Sequence, residues 1–344
     1  MSDISYAVLA KARAKFGKFL TDRDYTNLIA CQSVAEVMVY LKSHTHYASV
    51  LSEVNERDVH RGRLELLLRQ YLFDEFDSLC RYDSSVSAGF SQYYVEKTEV
   101  EQIVRFMVLL NSNSTEKFIF QFPSFLSKHT EIDVYKLANA QDYNEFLEAL
   151  KNTSYYDILK VFRPDRKGRL PVSDIENKLY AHILRNMNDL IRKKTKGSEQ
   201  KELLTLFRTI NDYSIFSRLL RLKKYYNLSP EIIKTYMLPE YSSLSPRLID
   251  KMCEAESSAE VFRIMQNTGC GRLIGKIGYK HASDITPRVQ YKLAKKNIHF
   301  SNNPSVVMIS FMLLSETELM NVIGLIEGVR YQHDPKTIQS LIIH

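Results

Sequence analysis

"LANAQDYNEFLEALKNTSYY", residues 137–156, contains one helix with both ends marked. Asp142 is a good N-cap, and Glu145 three residues later completes a capping box. In that motif the cap side chain accepts from the N3 amide and the Glu reaches back to the cap amide. Phe146, Ala149 and Leu150 follow at helical spacing, and Asn152 is a residue type that commonly ends helices. The pattern stands twice more without gaps, as "LIACQSVAEVMVYLKSHTHY" (28–47) and "MCEAESSAEVFRIMQNTGCG" (252–271). There the cap pairs are Ser33 with Glu36 and Ser257 with Glu260. The apolar positions are Val37, Tyr40, Leu41 and Val261, Ile264, Met265, and the ends are Ser43 and Asn267. The copies are offset by 109 and 115 residues, so three units of that size fill the 344 residues.

Longer helical patterns follow each copy. They are 63–79, 176–191 and 286–300, then 97–110, 198–210 and 315–328. The predicted fold class is therefore all-α, in three pseudo-repeated helical units of about 110 residues: 1–115, 116–235 and 236–344. The first helix of unit 1 is also a candidate to pack on unit 3. The best exception to helix is "KFIFQF", 117–122, which reads as a strand.

The composition fits a folded soluble chain: 44% hydrophobic, 25% charged, with only 11 glycines and 9 prolines. The longest apolar run, "SVVMISFMLL" (305–314), is too short to cross a bilayer and reads as a buried helix. The N-terminus lacks the apolar core of a secretory signal and reads as a first structural helix. Cys31, Cys80, Cys253 and Cys270 are scattered, with no C-x-x-C pair, which suggests a reducing, cytosolic setting and argues against structural zinc. The net charge of +7 admits nucleic acid, an anionic membrane surface or an acidic protein, and selects none of them.

Four glycines crowd "NTGCGRLIGKIG", 267–278, which ends in Gly275-Lys276 and invites a phosphate-loop reading. The spacing fails. Cys270 stands where a P-loop needs glycine, and Ile277 where it needs Ser or Thr. Ile274 stands where a dinucleotide loop needs its third glycine. The stretch reads as the turn after the third repeated helix. His44-x-His46 aligns with Thr153-x-Tyr155 and Thr268-x-Cys270, which favours a helix-end role over a metal. Asp74-Glu75-Asp77 reads as a solvated helix face. No nucleophile and base are paired, so catalytic, cofactor-binding and metal-binding residues are all expected to be none. Two basic loops remain, 162–171 and 192–197. Their Arg163, Arg166, Lys167, Arg169, Lys193, Lys194 and Lys196 are the candidate partner-binding residues, toward acidic protein or nucleic acid.

Residues 5–29, "SYAVLAKARAKFGKFLTDRDYTNLI", resemble the N-terminus of the C subunits of bacterial and archaeal V/A-type rotary ATPases, which are relatives of the d subunit of the eukaryotic V-ATPase. The resembling residues are Tyr6, Ala12-Arg13, Phe19-Leu20 and Asp22 to Tyr25. "SETELMNVIGLIEGVRYQ", 315–332, resembles the family's closing helix, with Glu318 and a glycine after the helix at Gly328. The family often shows Asn-Leu-Arg where this chain has Leu319-Met320-Asn321, so no role of that arginine carries over. The resemblance spans about residues 5–340 and implies a funnel of three helical domains. It implies a non-catalytic component on the cytoplasmic face of the membrane rotor ring, receiving the foot of the central stalk. The partners are then the central-stalk subunits and the cytoplasmic loops of the ring, with proton or sodium as the ion, no cofactor and no nucleic acid. A helical-repeat nucleic-acid binder is the alternative. It is disfavoured because the basic residues do not recur at equivalent positions.

Overall fold

The computed structural model describes residues 3–55, 60–82, 87–115, 118, 122–123, 125–226 and 228–344. Its helices are α1 (Asp3–Phe16), α2 (Asp22–Ile29), α3 (Val34–His44), α4 (Ala48–Leu51), α5 (Arg61–Cys80), α6 (Ser87–Asn111), α7 (Val134–Asn139), α8 (Tyr143–Ala149) and α9 (Tyr155–Leu159). They continue as α10 (Val172–Lys194), α11 (Gly197–Tyr225), α12 (Pro230–Thr235), α13 (Pro246–Glu254), α14 (Ser258–Gln266), α15 (Gly269–Ile274), α16 (Ala282–Phe300), α17 (Pro304–Arg330) and α18 (Pro335–Leu341). Among the described residues there is no β-strand, and the fold is all-α. Most of the strand expected at 117–122 lies outside the described residues. Phe118 and Phe122 within it are buried bends.

One order of helices occurs three times: a short helix, a capped helix, a shorter one, then two long helices. These sets are α2 to α6, α7 to α11 and α13 to α17. The capped helices are α3, α8 and α14. Ser33 and Ser257 each accept from the N3 amide at 3.2 Å, and Asp142 accepts from the Asn144 and Glu145 amides at 2.8 and 2.9 Å. The return half of the box differs from expectation. Glu145 and Glu260 accept from Gln141 and Glu256, one residue ahead of the cap, at 2.8 Å. At the start of α2 the shorter Asp24 does bind the cap amide of Thr21, at 2.8 Å.

A threonine then joins each capped helix to the next. Thr45, Thr153 and Thr268 donate to the carbonyls of Leu41, Leu150 and Met265 at 2.6, 2.8 and 2.6 Å. Each also accepts from an amide that opens α4, α9 or α15, Tyr47, Tyr155 or Gly271. The gapless alignment pairs Thr153 and Thr268 with His44, so in the structure the first copy slips by one residue here.

Contacts divide the chain into two compact units. One comprises Met1–Gln32, Leu79–Ser87 and Asn188–His344; the other comprises Ser33–Ser78 and Ala88–Met187. In the second unit, Phe106 of α6 stacks on Phe146 of α8 at 5.3 Å and meets Phe118 edge-on at 5.1 Å. Phe73 stacks on Phe125 at 4.5 Å. Each such fully buried ring stabilises by about 1.5–3 kcal/mol. Glu99 is also buried here. Thr130 Oγ1 and Tyr155 Oη donate to its carboxyl at 2.5 and 2.6 Å.

In the first unit, α1, α2, α11, α16 and α18 pack against α17. The apolar stretch 305–314 and the expected separate helix 315–328 are one helix of 27 residues. Ser315 and Thr317 read as a helix start, yet their hydroxyls donate to the Phe311 and Leu313 carbonyls, each at 2.9 Å. That internal bonding lets the helix run through them. The helix is long and apolar enough to span a bilayer, and 89% of its most apolar 18 residues are buried in the protein. Gly328 does not follow the helix as expected. It lies inside α17, where a Cβ would stand 2.7 Å from Ile338 Cγ1 of α18. α16 begins a turn before the expected Thr286, because Asp284 accepts from the His281 and Lys280 amides at 3.0 and 3.2 Å. Mid-helix in α11, buried Asp212 takes hydrogen bonds from Ser242 Oγ, Ser243 Oγ and the Ser243 amide. Its neighbour Asn211 donates to the Leu238 and Tyr241 carbonyls, both at 3.0 Å. This pair holds residues 238–243 against the helix.

Candidate functional site

Pro164 and Gly168 make residues 162–171 a loop, as their residue types predict. Asp165 organises it. Its Oδ1 accepts from the Lys167 and Arg169 amides at 2.8 and 2.9 Å, and its own amide donates to the Arg169 carbonyl at 2.9 Å. Gly168 closes the turn at φ 75°, a conformation that glycine adopts without strain. The amides of Arg169 and Lys167 hold the Asp165 carboxyl below its ordinary range. Asn111 at the end of α6 anchors the loop by exchanging two hydrogen bonds with the Leu170 backbone, at 2.9 and 3.1 Å. Arg166, Lys167 and Arg169 therefore project from one closed turn, all exposed. Arg163 is exposed too, but its guanidinium is turned onto the Lys160 and Phe162 carbonyls at 2.5 and 2.7 Å.

The second basic segment is not a loop. Lys193 and Lys194 lie in the last turn of α10, and Lys196 is the N-cap residue of α11. Only Thr195 and Lys196 lie between the helices. Cations are favourable at a helix C-terminus, where they face the unpaired carbonyls. The run reads as a linker by charge alone, and that preference is why it is helical. Thr195 is buried, with its hydroxyl on the Ile191 carbonyl at 2.6 Å, and Gln200 binds the Thr195 carbonyl at 2.7 Å. All three lysines are exposed. The two basic groups belong to different compact units. Each presents positive charge on a rigid support, which suits a salt-sensitive contact with an acidic surface.

The glycine-rich stretch forms α15 and the turn after it. Gly271 is there for closeness: an added Cβ would lie 2.3 Å from the Met265 carbonyl oxygen and 2.4 Å from Gln266 Cα. Gly269 and Gly278 have open space. His44 packs on Tyr40 at 4.9 Å, and His46 lies 4.2 and 5.4 Å from the rings of Tyr47 and Tyr71. Asp74 is exposed as expected, whereas Asp77 is half-buried and accepts from Ser91 at 3.0 Å. Among the described residues no group of three His, Cys, Asp or Glu is placed to hold a metal ion.

Residues 5–29 and 315–332 meet one another. Arg13 donates to the Ile298 and Ser301 carbonyls at the end of α16, at 2.8 and 2.7 Å. The Leu20 amide donates to Glu318, at 2.6 Å. Asn321 donates to Tyr25 Oη at 3.2 Å and to the Ile343 carbonyl at 2.8 Å, and accepts from the Ile343 amide at 2.9 Å. Burial, with the nearby Glu318 charge, raises the Tyr25 phenol well above its ordinary value. In the sequence Glu318 belongs to the resembling pattern, whereas Asn321 stands only as a departure from it. No local signal ties residue 321 to residues 25 and 343. Asp165 is also missed by sequence reasoning, although Asp three residues before Gly is a turn signature.

A family profile described as "ATP synthase (C/AC39) subunit" matches residues 8–341. The C subunit of the A-type ATP synthase of Methanosphaera stadtmanae is 21% identical over 270 residues, covering 77% of this chain. The match spans 66%, just under two thirds, of that relative's length. With the profile covering nearly the whole chain, the protein belongs to the ATP synthase (C/AC39) subunit family.

Proposed function

We propose that this chain couples the central stalk of the ATPase head to the membrane rotor ring, and that it has no catalytic residues of its own. The observation that carries the reading is the family match from residue 8 to residue 341. The thrice-repeated order of helices supports three similar units, 1–115, 116–235 and 236–344, arranged as a funnel whose open end receives the foot of the stalk. A coupler must transmit torque with little deformation, and close-packed helical interiors deform little. The protein then sits peripherally on the cytoplasmic face of the membrane, against the ring's cytoplasmic loops, and serves proton or sodium transport.

Arg166, Lys167 and Arg169 on their Asp165-braced turn, with Arg163, form one polar contact in this reading. Lys193, Lys194 and Lys196 form a second. The test is a binding assay of the purified chain against central-stalk subunits, the detergent-solubilised ring and random RNA, each across a salt series. Binding to stalk or ring at physiological salt, with RNA lost, is the expected result. Binding to RNA alone would overturn the reading, since steep salt dependence marks phosphate contacts. The R166E/K167E/R169E variant is expected to weaken one protein contact most at low salt. Unchanged affinity there removes the turn from the interface.

A further inference from the structure

The first unit carries a cleft of about 520 Å³ where the last turns of α11 face the starts of α14 and α16. Its floor is apolar. Leu220, Phe262 and Tyr279 line it, each half-buried. The Phe262 ring backs onto Phe216 of the core at 6.0 Å and faces Tyr279 at 6.5 Å, so the floor is braced from beneath. Its rim is cationic. Arg221 and Lys224 rise from α11, and Lys280 stands just before α16. All three are exposed, and among the described residues none has an ion-pair partner. Lys224 does lie 5.1 Å over the exposed ring of Tyr225. Among the described residues no Asp or Glu lines the cleft. The nearest helix-start carboxylates, Asp284 and Glu260, are turned back onto the amides of Lys280, His281 and Glu256. The first turns of α14 and α16, whose Ser258, Ala259, Ala282 and Ser283 also line it, add the positive ends of two helix dipoles.

Arg221, Lys224 and Lys280 thus set three like charges around one aromatic floor, with no carboxylate among the described lining residues to offset them. An occupant that relieves this must bring carboxylates to the rim and an apolar side chain to the floor. A bilayer surface is flat and cannot enter a concave cleft. A nucleic-acid strand needs a track of cations along its backbone, and this rim surrounds a single cleft instead. We propose that the cleft is a docking site for an acidic segment of another subunit of the same ATPase complex. An apolar side chain of that segment would rest on Phe262 and Tyr279, with carboxylates on Arg221, Lys224 and Lys280. The proposal rests on the coupling reading only in taking the partner from within the complex. It differs from the basic turn at 165–169 in joining charge to a half-buried aromatic floor, the combination that concentrates binding energy.

The test places a photo-crosslinker in the cleft of the assembled complex, as Tyr279→p-benzoylphenylalanine. After irradiation, the crosslinked peptide is sequenced. The expected product is a single subunit joined through a net-negative segment. The R221E/K224E/K280E variant is expected to lower that crosslink about tenfold while the chain still enters the complex. R221Q/K224Q/K280Q should fall between the two. Crosslinks confined to the chain itself, to lipid, to RNA or to a neutral or basic segment overturn the proposal, as does a yield unmoved by charge reversal. If the unmodified chain binds stalk and ring normally in that case, the cleft alone is at fault. If it binds neither, the coupling reading falls as well.

Discussion

Replacing Gly271 with alanine would put a methyl carbon 2.3 Å from the Met265 carbonyl oxygen, 2.4 Å from Gln266 Cα and 2.7 Å from Gln266 C. Ordinary contacts begin near 3.4 Å, so the start of α15 and the end of α14 would have to separate by about 1 Å. All three obstructing atoms are backbone, so no side chain can rotate away. Overpacking of this kind costs about 1–3 kcal/mol, and alanine returns about 0.8–1 kcal/mol over glycine inside a helix. Because the shift must move backbone, the upper part of the first range applies, and G271A should be net destabilised by about 1–2 kcal/mol. Gly269 supplies the control. It opens the same helix, its Cβ position is open, and its alanine variant should be neutral or more stable by up to about 1 kcal/mol. Urea unfolding followed by circular dichroism reads both. With a slope of about 1–3 kcal/mol/M, the two midpoints should differ by roughly 1 M. Protection of α14 and α15 amides from hydrogen exchange should fall in G271A alone. Equal midpoints for G271A and wild type would refute the close-approach argument, and an equal loss in G269A would mean the glycines act through flexibility instead.

Burial, outweighing the Thr130 and Tyr155 hydroxyl donors, raises the Glu99 carboxyl above its ordinary 4.5. A raised folded value means that Glu99's contribution to stability is fully present below pH 4.5 and is lost as pH rises through the folded value. The E99Q variant should therefore lose stability relative to wild type as pH falls from neutral to about 4. Urea midpoints at several pH values test this, and a relative gain by E99Q in acid would contradict it. N321A removes three hydrogen bonds and leaves both Ile343 backbone groups without their partners. It should cost about 2–4 kcal/mol, read as a lowered unfolding midpoint and faster exchange at the Ile343 amide. D165A frees an exposed turn, so trypsin should cut after Arg166, Lys167 and Arg169 faster while the unfolding midpoint stays unchanged.

The parts of the fold that were legible are those whose physics is local. A cap residue and its N3 partner lie three residues apart, so α3, α8 and α14 could be placed from Ser33, Asp142 and Ser257. Helix lengths were less legible, because tertiary burial extends helices through weak residues. Ser315 and Thr317 look like a start, but inside a packed α17 their hydroxyls are satisfied by the preceding turn. The pattern at 286–300 starts at Thr286, while Asp284 starts α16 earlier. The loop at 162–171 was legible through Pro164 and Gly168, but the helical lysines at 193–194 looked the same by charge. The cleft was invisible, since Arg221, Phe262 and Lys280 are far apart in sequence and none belongs to a motif.

The joint between residues 20–25 and residues 318–343 bears on how the protein is made. Leu20 and Tyr25 wait for partners 298 and 296 residues further along. A ribosome adding about 5–20 residues per second needs roughly 15–60 s to supply them. Through that interval the apolar face of α1, with Val8, Leu9 and Ala12 destined for burial, has no α17 to cover it. The first unit thus cannot close during synthesis of its own N-terminal helices, and the nascent chain presents a sticky surface throughout. Ribosome-associated chaperones should hold this chain until release, and messages truncated before codon 318 should yield products that are degraded or aggregate rather than shortened stable proteins.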